Sequence, residues 1–133
     1  MIDMPARNGE IYVLKTLNGK KMKVEVAATV EARIRGLSGR VGMPTNTGML
    51  FIFDTISVQS MWMVEMRFPL DILWLDEFMT VLHVSYDCRP CPDRDRCPFF
   101  SSVHPVKYAI ELNGGAARSF GLDVGDSLLL SEE

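Results

Sequence analysis

Two runs decide the fold: Gly48-Met49-Leu50-Phe51-Ile52-Phe53 and, after a short interval, Leu70-Asp71-Ile72-Leu73-Trp74-Leu75. Each is nearly continuous in apolar residues and bounded by turn signals, with Gly42, Pro44 and Asn46 before the first and Asp76-Glu77 after the second. Short apolar runs so bounded read as strands covered on both sides. Gly48 to Asp76 is therefore expected to form the centre of the core.

Working outward from that centre, Lys21 to Ala27 alternates, with Met22, Val24 and Val26 set against Lys21, Lys23 and Glu25. Period two means one buried and one wet face. Glu10 to Thr16 is a preceding strand, and Asn18-Gly19 between the two suits a type I′ hairpin turn. At Thr29 the period changes. Val30, Ile34 and Leu37 fall at helical spacing, Thr29 can cap the start, and Gly39 stands where a left-handed stop is expected, leaving Gly36 inside the helix. Ile56 to Met63 and Met79 to Tyr86 read as further extended segments. Val106 to Leu112 is a strand, Ala116 to Phe120 one short helical turn, and Ser127 to Leu130 a last strand. The fold class is mainly β: a compact β-sandwich or partly closed β-barrel with one short helix after the second strand. Residues 1–9 read as a flexible leader and 10–131 as a single domain.

Composition bounds the function. The chain has 133 residues, 47% of them hydrophobic, enough for one core without disulfides. A net charge of −3 disfavours nucleic acid as a partner, and the short basic runs at Lys20-Lys21 and Arg33-Ile34-Arg35 do not reverse it. No apolar run approaches the roughly 18–20 residues of a membrane span. Met1 to Glu10 lacks the apolar stretch of a signal peptide, so the expected compartment is the cytoplasm, or an exported location if a leader has been removed. A monomer or weak dimer is expected.

Six segments, in order, resemble one family: Arg35-Gly36-Leu37-Ser38-Gly39-Arg40, Gly48 to Phe53, Trp62-Met63, Phe68-Pro69-Leu70-Asp71-Ile72, Tyr108 to Gly115, and Gly121 to Asp126. That family is the domain of unknown function 192, also called uncharacterised protein family 0127. The resemblance covers roughly residues 20 to 130. It implies a compact β fold with one helix after the second strand, and no established reaction. Members often carry a lysine and an asparagine after the Trp-Met pair, where this chain has Val64 and Glu65. The resemblance also implies that Cys91 and Cys97 are a paired feature, with Cys88 additional.

Within the family-like segments lie Arg35, Arg40, Trp62, Asp71 and Glu111, the candidate ligand-binding set. Two arginines can grip a carboxylate or phosphate through forked hydrogen bonds, and a tryptophan can form a stacking wall. Asp71 and Glu111 each stand between apolar neighbours in a strand, so each needs a donor if its face is interior. The plainer alternative is that Arg35–Asp71 or Arg40–Glu111 are ion pairs fixing the helix to the sheet. A competing functional reading is a hydrolase of saccharides or other polar substrates, with Asp71 and Glu111 as acid and base.

Asp87 to Pro105 is the least regular segment and holds all three cysteines. Cys88-Arg89-Pro90-Cys91 has the spacing at which two thiolates reach one zinc ion, and Cys97 with His104 or His83 would complete four ligands. A Cys91–Cys97 disulfide and three reduced thiols are the other readings. No nucleophile elbow, zincin spacing or phosphate-cradling glycine loop is present. The nine methionines read as core filling. The preferred reading is a non-catalytic domain binding a small polar ligand or a partner protein through the arginine, tryptophan and carboxylate region, without a cofactor. A metal-stapled interaction module using the cysteine loop is the third class.

Overall fold

The two apolar runs do not pair with each other. In the structure, a computed structural model that describes residues 6–133, they flank a third strand. Thr47–Ser57 (β3) and Leu70–Leu75 (β5) both pair antiparallel with Val106–Asn113 (β8), which lies between them. Every residue of β5 is buried, as its apolar composition, interrupted only by Asp71, leads one to expect. Val81–Cys88 (β6) pairs with the outer side of β5.

On the other side, Lys21–Ala27 (β2) runs parallel to β3, and Ile11–Lys15 (β1) pairs antiparallel with β2. A parallel neighbour needs a crossover, and the segment carrying the helix Val30–Arg35 (α1) supplies it. Leu129–Glu132 (β9) completes a seven-stranded sheet in the order β6-β5-β8-β3-β2-β1-β9. A two-stranded ribbon, Ser60–Trp62 (β4) with Phe99–Ser101 (β7), stands apart.

The two edges of the sheet come together. Thr80 and Ser127 form an antiparallel bridge, Leu128 N–H donates to Met79 O at 3.0 Å, and Val81 N–H donates to Asp126 O at 2.8 Å. The sheet thus curls into the partly closed form expected, without a continuous closed ladder. Its inner face packs Leu14, Val24, Leu50, Leu73, Ile110 and Leu112 into one core. A short helix, Ala116–Ser119 (α2), contributes Ala117 to that core. The outer face carries a second core of Phe51, Phe53, Ile72, Trp74, Cys88 and Ala109, joined by Leu37 and Met63 from outside the sheet.

Glycine is required where β3 meets β8. A Cβ on Gly48 would lie 2.8 Å from the Glu111 carbonyl oxygen and 2.9 Å from Leu112 Cδ2. Only hydrogen allows the two strands to approach this closely.

Local expectations are corrected at two places. The β1–β2 turn is not type I′. Gly19 alone has positive φ, Gly19 N–H donates to Thr16 O at 3.0 Å, and Thr16 N–H donates to Lys20 O at 2.9 Å. That is the longer hairpin loop, a turn closed by one left-handed glycine. The first helix stops at Gly36 (φ +46°), not at Gly39, so Gly36 caps the helix rather than lying within it. Val30 and Ile34 are consequently 53% and 78% exposed and do not form a buried stripe with Leu37. Leu37 is buried because the left-handed exit turns the chain inward.

Met1 to Pro5, most of the leader expected over residues 1–9, lie outside the described residues. From Ala6 onward the chain is tied to the sheet. The Asn8 side-chain oxygen accepts from Ala28 N–H at 2.6 Å, and Gly9 N–H donates to Val26 O at 2.9 Å. No helix among the described residues is long and apolar enough to cross a membrane.

Candidate functional site

The early stop of α1 leaves room on the outer face. Thr29 caps the helix by accepting from Ala32 N–H at 3.2 Å, and a Cβ on Gly36 would lie 3.3 Å from Phe51 Cζ. Arg33 holds the helix against β3. Its guanidinium donates to Ala28 O at 2.7 Å, to Ile52 O at 2.8 Å and to Asp54 Oδ2 at 3.1 Å. These bonds hold the helix end above Phe51 and Phe53 and open a cavity of about 410 Å³ between it and the ribbon.

Three of the five expected site residues line this cavity: Arg35, Trp62 and Glu111. Trp62 stacks on Phe99, with ring centroids 5.1 Å apart and planes 7° from parallel, a contact set by their direct pairing across the β4–β7 ribbon. The Arg94 guanidinium lies 5.2 Å from the Trp62 ring centre and bonds Glu65 at 3.1 Å. The indole is thereby held as a wall. Arg35 is exposed at the end of α1, and its guanidinium has no ion-pair partner among the described residues.

Glu111 is the unusual member. It sits in β8 opposite Met49 on one side and Ile72 on the other, and only 7% of it is exposed. Its carboxyl has no hydrogen-bond or ion-pair partner among the described residues. Burial pushes its pKa up from 4.5 to about 8, because nothing nearby compensates for lost hydration. It is thus a protonated acid near neutral pH.

The other two expected residues stand elsewhere. Asp71 faces the inner core. Its Oδ1 accepts from Asp87 N–H at 2.8 Å, and its Oδ2 accepts from Gly115 and Ala117 N–H, both at 3.0 Å. It therefore clamps the β6 end and the start of α2 to the sheet. Arg40 pairs with Glu25 across 3.4 Å at the surface. Neither expected ion pair, Arg35–Asp71 or Arg40–Glu111, forms. The pairing of Asp71 with Leu112, and of Glu111 with Ile72, puts the two carboxylates on opposite faces of the sheet. They do not flank one cleft, which removes the geometry an acid/base pair for glycoside hydrolysis needs.

The cysteines also separate. Cys91 and Cys97 form a disulfide with Cα atoms 5.7 Å apart, while Cys88 is a buried free thiol. Burial, then the charges of Asp71, Glu111 and Asp87, push the Cys88 thiol up to about 12. His104 is exposed. The zinc set Cys88, Cys91, Cys97 and His104 is not assembled, and among the described residues no three or more His, Cys, Asp or Glu side chains are placed to hold a metal ion.

Sequence reasoning missed Arg33, Phe51, Phe53 and Met61 as parts of this site. Phe51 and Phe53 share a period-two face with Met49, a signal that was available. The role of Arg33 depends on where the helix stops.

A family model, DUF192, described as "Uncharacterized ACR", matches residues 13–130. The chain belongs to the DUF192 family. A solved structure from Sinorhizobium meliloti, described as a "putative transcription regulator", is 31% identical to this DUF192 domain. The match covers 91% of this chain and 92% of that one, with a TM-score of 0.81. A protein of unknown function from Novosphingobium aromaticivorans, 22% identical, shares the fold with a TM-score of 0.79 over 90% of this chain and 83% of its own. No curated protein matches the chain.

Proposed function

We propose that this DUF192 domain binds a small ligand in the cavity between the end of α1 and the β4–β7 ribbon, through Arg35, Trp62 and Glu111. The observation that carries this reading is Glu111. A carboxyl this buried that bonds no protein group among the described residues is costly to ionise. A bound group that hydrogen-bonds it would recover that cost. The volume, about 410 Å³, falls within the usual range of small-molecule sites, and the lining combines the aromatic Phe51, Phe53 and Trp62 with polar groups from Arg35, Ser38, Gln59 and Glu111. Asp71 and Arg40, engaged elsewhere, drop out of the binding set.

The two tryptophans make a direct test. Trp62 lines the cavity, whereas Trp74 is fully buried and donates to Ser85 Oγ at 3.1 Å. In a fragment screen followed by NMR, binders are expected to shift the Trp62 indole resonance and leave that of Trp74 in place. Ser38→Phe, which puts a ring into the lining, should abolish the shifts. Binders that move neither Trp62 nor the Met61 methyl, or that survive Ser38→Phe, would contradict the reading.

A further inference from the structure

The charges in the lining narrow the ligand class, an inference that rests on the cavity being a binding site. Four charged residues line it: Arg33, Arg35, Asp54 and Glu111. Arg33 and Asp54 neutralise each other across 3.1 Å. Arg35 and Glu111 are left, and neither has a side-chain partner among the described residues. One is a cation at the exposed rim, and the other is an acid on the buried floor. Phe51, Trp62 and Met61 line the same cavity.

A ligand with a single charge answers only one of these groups. An ammonium suits Glu111. It brings donors to a carboxyl that accepts from no protein group among the described residues, its charge is opposite to that of the ionised carboxylate, and aromatic faces attract cations further. A carboxylate suits the forked donors of Arg35. Burial sets the order, with the compact ammonium inward and the larger anion at the rim.

We propose that the cavity binds a zwitterionic amine of amino-acid size, with its ammonium against Glu111, its carboxylate against Arg35 and an apolar side chain among Phe51, Trp62 and Met61. When the ammonium seats, Glu111 gives up its carboxyl proton to solvent and the resulting carboxylate pairs with it.

Four probes of similar bulk test this: L-phenylalanine, 2-phenylethylamine, 3-phenylpropionate and 2-phenylethanol. Each is titrated against the full chain, Glu111→Gln and Arg35→Ala, with the Trp62 indole as reporter and the Trp74 indole as a check on folding. Phenylalanine is expected to bind about tenfold or more tightly than any other probe, since each charge-assisted contact adds to affinity. Glu111→Gln should weaken phenylalanine and phenylethylamine by about tenfold and leave phenylpropionate nearly unchanged. Arg35→Ala, at an exposed position, should weaken phenylalanine and phenylpropionate and spare phenylethylamine. If the alcohol or the acid binds as tightly as phenylalanine, or if Glu111→Gln leaves amine binding intact, the ligand class is overturned while the cavity reading stands. If none of the four moves Trp62, the zwitterion proposal falls. The cavity reading falls with it only if the fragment screen is silent too.

Discussion

Asp71 and Glu111 are two acids buried in neighbouring strands, and their partners separate them. Asp71 satisfies three backbone N–H groups, so its carboxylate is a structural clamp. Asp71→Ala leaves those donors unpaired, and a loss of about 2–4 kcal/mol is expected in a denaturant titration. Glu111 satisfies no such group. Its pKa of about 8 in the folded protein stands above 4.5, so between these values the folded state holds a proton that the unfolded state has released. Stability is therefore expected to be highest below pH 4.5 on this group's account, to fall as pH rises toward 8, and to level above it. Glu111→Gln should remove that decline, so that the parent loses on the order of 4 kcal/mol relative to the variant as pH rises from 4 to 8. Paired melts of the two proteins across that range check it. The sequence placed both acids in strands and asked for a donor to each if its face were interior; both are buried, and neither meets an arginine among the described residues. It did not reveal that adjacent strand positions send them to opposite faces, because that depends on the register of β5 against β8.

At the level of elements, the cavity exists because α1 is short. Gly36 holds a φ of +46°, and its missing Cβ makes room for the Phe51 ring. Gly36→Ala is expected to destabilise by about 1–2 kcal/mol and to shift the Phe51 resonances, since it combines left-handed strain with a close contact. The ribbon depends on a different constraint. The Cys91–Cys97 disulfide closes the loop that leads into β7, whose Phe99 supports Trp62. Reduction, or Cys91→Ser with Cys97→Ser, is expected to cost about 2 kcal/mol, from loop-closure entropy over so short a span. It should also broaden the Trp62 indole signal more than that of Trp74. The strands were legible in the sequence because period two and unbroken apolar runs are strong local signals. The helix stop was not, because Gly36 and Gly39 are both plausible caps and the choice is made by Phe51, a distant residue that packs under the first of them.

Across the whole molecule, a curled sheet buries one core inside and leaves a second outside that is incompletely covered. The mainly β class followed from hydrophobic period and turn signals, whereas the helix after the second strand was located by its Thr29 cap and by a spacing whose Val30 and Ile34 remain exposed. The bridge from Thr80 to Ser127 that brings the edges together, and the long-range pairing that sets β8 between the two apolar runs, involve residues far apart in sequence and left no local mark. The candidate site was half legible for the same reason. Arg35, Trp62 and Glu111 converge only once the sheet has curled and the ribbon has folded over its outer face. The claim at the centre of this account is that Glu111 is a largely buried carboxyl, lining the cavity, with no protein partner among the described residues. A carbon-13 NMR titration of its side-chain carboxyl in the ligand-free protein tests that directly. A midpoint near 8 is expected, and a midpoint in the ordinary carboxylate range, about 4.3, would contradict it.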